Sequence, residues 1–183
     1  TFYRSYSSKR DDDISFRPLI RRTVQDKKLY TGIEIGHGGL YLRAMAPVFS
    51  KNQNLLGIVE LQMGVGSISR ALKAQQTYYI LLVDRKVVKE EEYKKSASDV
   101  VIGDRYLTAH SKWFDEETVG FARKVNYEQL HKNGFILDKE IYASFYEARD
   151  FEGKQYGIHL FGMKRQDFDE GFRGCLLYTS PSP

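Results

Sequence analysis

The chain has 183 residues, 42% of them hydrophobic and 28% charged, with a formal net charge of +4 at pH 7. These values are typical of a globular protein and exclude intrinsic disorder as its main character. Basic and acidic residues are mixed along the chain, which argues against nucleic acid as a partner. No run of about 18 uncharged apolar residues is present, so no membrane-spanning helix is predicted. Because the chain begins at Thr1 without a signal-peptide pattern, we expect it to be a fragment.

The C-terminal segment, residues 175–183, has the sequence CLLYTSPSP and resembles the translation of a sequencing-library adapter. The alternative interpretation is a flexible native tail. Cys175 is the single cysteine of the chain. If the segment is foreign, the native chain has no cysteine, which excludes a disulfide scaffold and cysteine-ligated zinc. A chain without cysteine is also compatible with a location outside the cytoplasm.

The first part of the chain predicts a helix, three strands and a second helix. Asp11, Asp12 and Asp13 precede a helix with Pro18 in its first turn, where acidic residues favour the helix dipole. Alternating apolar residues then predict strands at residues 31–35, 40–49 and 55–63. The next apolar periodicity predicts a helix at residues 67–76.

The second part begins again with a strand. Residues 78–83 predict a short buried strand and residues 106–111 another. Asp115 and Asn126 are predicted to cap two successive helices, the second of which ends at Gly134.

The last predicted hairpin, residues 141–149 and 155–163, repeats the strand pair of the first part. LLGI at residues 55–58 matches QYGI at residues 155–158, a spacing of 100. The match suggests two successive sheet modules joined by a helix. Antiparallel strands with helices packed on one face predict an α+β fold.

Enzyme motifs are not found in the sequence. The glycines at residues 36–39 and 64–66 lack the pattern of a phosphate-binding loop. The four histidines lack the spacing of a metal site, and no nucleophile elbow is present. We therefore expect a domain that is not an enzyme, with no catalytic residue, no metal and no cofactor.

Charged residues interrupt otherwise apolar strands at Glu34, Arg43 and Glu60. If these strands are neighbours, Arg43 is placed to pair with Glu60 or Glu34, as a structural ion pair worth about 0–1 kcal/mol. The alternative is that Arg43, with Arg17 and Tyr41, offers a planar donor group to a carboxylate or other anion.

Aromatic residues of the second part form another candidate pocket, with ordinary core packing as the alternative. The residues concerned are Trp113, Phe114, Tyr142, Phe145 and Tyr146, with His110 and Glu147 as polar groups.

Several segments together resemble the double Cache sensor domains of bacterial transmembrane receptors. In the first part they are DDISFRP (residues 12–18), GIEIGHGGLYLRAMAPVF (32–49) and LLGIVELQMG (55–64). In the second part they are VDRKVV (83–88), WFDEE (113–117) and RDFEGKQYGIHLFGMKR (149–165). The resemblance covers roughly residues 2–165, and the first part carries most of it.

This resemblance implies an α+β fold with two tandem PAS-like modules, the first truncated at its N-terminus. The implied boundaries are a membrane-distal module at 1–66, a connecting helix at 67–77, a membrane-proximal module at 78–166 and the start of an exit segment at 167–174. The domain is expected in the periplasm, anchored in the inner membrane by segments outside this chain. A homodimer through the flanking helices is expected.

The implied function is extracytoplasmic sensing of a small molecule, with a carboxylate as the candidate class. The resemblance places the ligand in the distal module, lined by Arg17, Tyr41, Arg43 and Glu60. The output is expected to be a chemoreceptor, a histidine kinase or a diguanylate cyclase. The family's amino-acid-binding signature is not recognisable, so an amino-acid ligand is not inferred from the resemblance. The alternative function is a dimerisation, spacer or partner-binding module without a small ligand.

Overall fold

A computed structural model of the protein describes residues 13–36, 39–86 and 100–179. Two compact units are formed, and the described part of the first contains residues 13–36, 40–64 and 149–154. Residues 65–86, 100–148 and 155–179 belong to the second unit. Asp11 and Asp12, expected before the first helix, lie outside the described residues.

The described elements alternate between helices and antiparallel strands, which gives the expected α+β composition. The helices are α1 (Pro18–Asp26), α2 (Gly66–Lys73), α3 (Glu116–Lys124), α4 (Tyr127–Asn133) and α5 (Arg165–Thr179), with a 3-10 turn at Ser111–Trp113. The strands are β1 (Tyr30–Gly36), β2 (Gly39–Phe49), β3 (Leu55–Met63), β4 (Tyr78–Asp84), β5 (Val101–Ile102), β6 (Tyr106–Thr108), β7 (Phe135–Leu137), β8 (Ile141–Arg149) and β9 (Gln155–Lys164). The predicted strands and capped helices are confirmed, although the strand expected at 106–111 ends at Thr108. β5 and β7 were not predicted, and α5 covers residues 167–174, where the start of an exit segment was expected.

In the first unit the described strands form a sheet in the order β1-β2-β3, with α1 packed against β1 and β3. Leu19 of α1 and Met45 of β2 are fully buried. In the β2–β3 register Met45 lies opposite Glu60, and Ala46 lies opposite Val59. Successive strand residues point to opposite faces, so the buried face carries Met45 and Glu60.

The other face of the β2–β3 pair is apolar and open. Val59 is 53% exposed, Leu61 70% and Met63 54%. On β2 the residues facing the same way include Ala44 and Ala46, which lie opposite Leu61 and Val59. Because a contiguous apolar surface is unusual on a soluble domain, this face is a candidate interaction surface.

Acidic residues were expected to precede α1 and favour its dipole, and Asp13 lies before the helix. Its Oδ1 accepts a hydrogen bond from the Ser15 N–H at 2.9 Å, and the first turn of the helix contains no acidic residue. The carboxylate at the helix N-terminus is Glu34 of β1, whose Oε1 accepts a hydrogen bond from the Leu19 N–H at 3.0 Å. A negative charge at this end of a helix is favourable whichever element supplies it.

The turn between β8 and β9 belongs to the first unit. The Phe151 N–H donates to the Ile33 carbonyl oxygen at 3.2 Å, and the Phe151 ring packs edge-on against Tyr30 with centroids 5.5 Å apart. A Cβ atom at Gly32 would lie 2.9 Å from the Phe151 Cβ. Glycine is therefore required at position 32 for this close approach.

The second unit has a larger core. Its described strands form one sheet in the order β5-β6-β4-β9-β8-β7. All seven residues of β4 are buried, and α2 and α3 pack against this strand. The predicted caps are confirmed, because Asp115 accepts a hydrogen bond from the Thr118 N–H and Asn126 from the Gln129 N–H.

The two hairpin turns use the same hydrogen bonds at positions 100 residues apart. Ser50 Oγ accepts from the N–H groups of Asn52 and Asn54, at 3.2 and 3.1 Å. Asp150 Oδ1 accepts from the N–H groups of Glu152 and Lys154, both at 2.9 Å. The resemblance between the two hairpins therefore extends from sequence to turn geometry.

The glycines of the repeated Gly-Ile pair lie in different environments, which gives a matched test. A Cβ at Gly157 would lie 1.9 Å from the Leu82 carbonyl oxygen, whereas a Cβ at Gly57 meets nothing within 4 Å. We expect Gly157→Ala to lower the free energy of unfolding by about 1–3 kcal/mol. Gly57→Ala should change it by less than about 0.5 kcal/mol. Urea denaturation of both variants measures the difference, and equal effects would contradict the packing described.

Candidate functional site

Four charged side chains meet on the buried face of the first unit's sheet. They are Arg17, which precedes α1, Glu34 of β1, Arg43 of β2 and Glu60 of β3. Each side chain is between 9% and 13% exposed. The strand order β1-β2-β3 brings the last three together, and the position of α1 adds Arg17.

Arg17 binds both carboxylates. Its Nη1 and Nη2 donate to Glu60 Oε2 and Oε1, both at 2.9 Å. Its Nε donates to Glu34 Oε2 at 3.0 Å, and Nη2 donates to the same oxygen at 2.5 Å. The paired donors of the guanidinium group match the geometry of a carboxylate, which strengthens the contact with Glu60.

Arg43 adds a second cation to the cluster. Its Nη1 donates to Glu60 Oε1, and its Nε lies 3.6 Å from Glu34 Oε2. The Arg43 guanidinium also lies over the ring of Tyr41, 5.5 Å from the ring centroid, which is a favourable cation–π distance. The predicted pairing of Arg43 with Glu60 and Glu34 is thus present, and the pairing of Arg17 with both glutamates was not predicted.

The pKa values of Glu60 and Arg17 are both shifted in the direction that favours the charged form. Burial raises the pKa of Glu60, but the hydrogen bonds and charges of Arg17 and Arg43 outweigh it, so that this pKa lies below its ordinary value. Burial lowers the pKa of Arg17, but the two glutamates outweigh it and raise this pKa. A neutral set of paired charges avoids most of the cost of an isolated buried ion.

A cavity of about 350 Å³ lies beside this cluster, between α1 and the sheet. Residues 13–15, which precede α1, form part of its wall. Ile20 and Val24 of α1 and Met45 of β2 form a second part, and residues 55–58 of β3 a third. The spacing of Ile20 and Val24 on one helix face was visible in the sequence, but its partner surface was not.

The predicted site residues divide between the cavity and the cluster. Glu60 belongs to both, because it lines the cavity and binds the two arginines. Arg17, Tyr41 and Arg43 are not among the lining residues, although both arginines bind Glu60. The arginines therefore act on the cavity through Glu60.

The aromatic residues expected to line a pocket in the second unit are distributed over separate contacts. Trp113 stacks on His110 with centroids 4.7 Å apart. Tyr142 stacks on Phe168 of α5 at 4.5 Å. Phe145 points the other way along β8 and meets His131 of α4 edge-on at 5.0 Å. These contacts are packing interactions and agree with the alternative that the sequence left open.

Neither a metal cluster nor a membrane span is found in the described ranges. No group of three or more His, Cys, Asp or Glu side chains in residues 13–36, 39–86 and 100–179 is placed to hold a metal ion. Within the same ranges, no helix has the length and apolar character needed to cross a membrane.

The chain is similar at low identity to solved structures that include two chemoreceptor domains, whereas no protein-family model and no curated protein match it. One structure is the ligand-binding domain of the amino-acid chemoreceptor PctC of Pseudomonas aeruginosa PAO1 in complex with GABA, at 18% identity and a TM-score of 0.38. The other is the ligand-binding domain of the Pseudomonas fluorescens chemoreceptor CtaA in complex with L-leucine, at 13% identity and a TM-score of 0.37. The alignments cover 86% of this chain but only 65% and 62% of those chains.

The cluster predicts a large effect of removing one of its charges. We expect Glu60→Gln to lower the free energy of unfolding by about 2 kcal/mol, because two guanidinium groups then share one carboxylate. Glu140→Gln is the matched control, because it breaks an exposed ion pair with Lys124. The side chains of Lys124 and Glu140 are 63% and 72% exposed. The effect of Glu140→Gln should stay below about 1 kcal/mol. Denaturation curves that shift equally would contradict the role of the cluster.

The lowered pKa of Glu60 also predicts a pH dependence. A carboxylate with a lowered folded-state pKa contributes stability that is complete above its unfolded pKa of about 4.3 and is lost as the pH falls through the folded value. The stability gap between the wild-type protein and Glu60→Gln should therefore be constant at neutral pH and narrow below about pH 4.3. Urea denaturation between about pH 7 and pH 3 measures it. A gap that widens towards low pH would contradict the ionised state of Glu60.

Proposed function

We propose that the chain is the ligand-sensing domain of a bacterial transmembrane receptor and that the ligand occupies the cavity beside α1. The observation that carries this proposal is the cavity itself. Its volume of about 350 Å³ lies within the range of small-molecule sites, which is about 300–1,000 Å³. Its wall combines aliphatic side chains with few polar groups, which is the usual composition of such sites.

The segments that resemble double Cache domains also build this cavity. DDISFRP contains Asp13, Ile14 and Ser15 of the wall, and LLGIVELQMG contains the lining residues of β3. The agreement between the resembling segments and the cavity wall supports a sensor of this family. The matching hydrogen bonds of the two hairpin turns support a tandem arrangement of two PAS-like modules.

In this proposal the domain lies in the periplasm and is anchored by membrane helices outside the chain. The receptor is a homodimer through its flanking helices. The domain has two arrangements in equilibrium, and a ligand in the cavity contacts both α1 and the sheet. The ligand shifts the populations of these two arrangements by the difference between its affinities for each of them. The flanking helices then carry that change to a cytoplasmic output domain.

The predicted carboxylate ligand requires a guanidinium group free to bind it. Arg17 hydrogen-bonds both glutamates and Arg43 hydrogen-bonds Glu60, whereas the buried Arg43 Nε lies 3.6 Å from Glu34 without a hydrogen-bond partner among the described residues. Neither arginine is among the described residues that line the cavity. These contacts favour the structural interpretation of both arginines. In the proposal, Arg17, Tyr41 and Arg43 hold Glu60 in the cavity wall and do not touch the ligand.

A second candidate function is favoured by the open apolar face of β2 and β3. Val59, Leu61 and Met63 offer a surface of the kind that binds another protein. A dimerisation, spacer or partner-binding module would use this face and leave the cavity empty. The two functions therefore place the important residues on opposite faces of the same strand.

Two tryptophan variants of β3 separate these functions. Leu56 lines the cavity and is 68% exposed, whereas Leu61 is 70% exposed on the opposite face. In a thermal-shift screen of small metabolites, we expect a ligand to raise Tm, since binding at 100 times Kd stabilises by about 2.7 kcal/mol. Leu56→Trp should abolish that shift by filling the cavity, and Leu61→Trp should retain it.

Other outcomes would contradict the sensor proposal. The sensor proposal would be wrong if no compound raised Tm in a library of amino acids, carboxylates, amines, alcohols and sugars. A ligand whose effect is lost in Leu61→Trp and retained in Leu56→Trp would move the site to the open face. Self-association that is lost in Leu61→Trp, with no ligand found, would favour the interaction module.

A further inference from the structure

The ionisable groups that line the cavity identify the chemical class of its ligand. Asp13 and Glu60 are the ionisable side chains among the described lining residues, and both are carboxylates. No described lining residue carries a basic side chain. An anion entering this cavity would lose hydration, and no described lining residue offers it a cation in return.

The two carboxylates are not equivalent. Glu60 is compensated by Arg17 and Arg43, which leave it little net attraction for a cation. Asp13 is exposed, and within the described residues its carboxylate meets the N–H group and the side chain of Ser15 but no basic side chain of the cavity wall. The electrostatic preference of the site therefore comes from Asp13.

The remainder of the wall sets the shape of the ligand. Aliphatic side chains from three elements surround the space, including Ile14, Ile20, Met45 and Ile58. Burial of a small branched alkyl group against them supplies most of the binding free energy, at about 25 cal/mol for each Å² removed from water. The head group then decides which of several similar alkyl compounds binds best.

From this lining we infer that the cavity takes a small aliphatic amine, with its alkyl group between α1 and β3 and its ammonium group on Asp13. This inference rests on the proposed function and makes it more specific. It replaces the carboxylate expected from Arg17 and Arg43, because neither arginine is among the described residues that line the cavity. The same geometry predicts that Asp13, at the cavity mouth, determines specificity.

Three probes of equal shape test the inference: 3-methylbutylamine, 3-methylbutanol and 3-methylbutanoate, with affinities measured by calorimetry at low salt. The expected order of affinity is amine, then alcohol, then carboxylate. Because an exposed ion pair is weak, the advantage of the amine over the alcohol should be about two- to fivefold. It should shrink as salt is added.

Asp13→Asn should reduce the affinity for the amine to the level of the affinity for the alcohol. The affinity for the alcohol itself should not change. Asp104→Asn is the matched control, because Asp104 is exposed and lies in the second unit. Carboxylate binding that equals or exceeds amine binding would overturn the inference, and so would an amine advantage that survives Asp13→Asn. If none of the three probes binds, the inference is also overturned. The proposed function is tested separately: it fails if the wider library contains no ligand whose binding Leu56→Trp abolishes.

Discussion

The helix α1 is held on the sheet of the first unit by four charges of alternating sign. Arg17 joins Glu34 to Glu60, and Arg43 approaches the same two carboxylates from β2. Glu34 adds a bond to the Leu19 N–H, so that it ties the first turn of α1 to β1. Because each ion depends on the others for compensation, loss of one leaves a buried charge that is expensive to keep. The cavity depends on this network, since its walls come from the elements that the network joins.

In the proposed function, the network and the cavity have separate roles. The network holds Glu60 and the start of α1 in place through its hydrogen bonds. The aliphatic wall and Asp13 would contact the ligand. In the proposed function, a ligand changes the relative populations of two arrangements of α1 on the sheet, and the buried ion pairs stay intact in both. Selectivity can thus change through residues such as Asp13 while the fold keeps its charges.

The sequence predicted contacts within one element or between adjacent strands, but it did not predict how the helix α1 packs against the sheet. Asp115 was recognised as a cap because a cap and its helix are adjacent in sequence. The Arg43–Glu60 pair followed from the adjacency of antiparallel strands. The contacts of Arg17 with both glutamates depend on where the helix packs against the sheet, which no short sequence pattern encodes. The same holds for the bond between Glu34 and the Leu19 N–H. The cavity could not be predicted for the same reason.

The contact of Phe151 with β1 means that the first unit is not contiguous in the sequence. Its strand Tyr30–Gly36 meets Phe151 only after the intervening residues of the second unit have been synthesised. At about 5–20 residues per second, the ribosome delivers that residue on the order of 10 s after the end of β3. During this interval the space beside Gly32, which Phe151 fills in the folded protein, has no occupant from the last hairpin. Folding of the first unit is therefore completed by the last hairpin, and the order of synthesis is not the order of assembly.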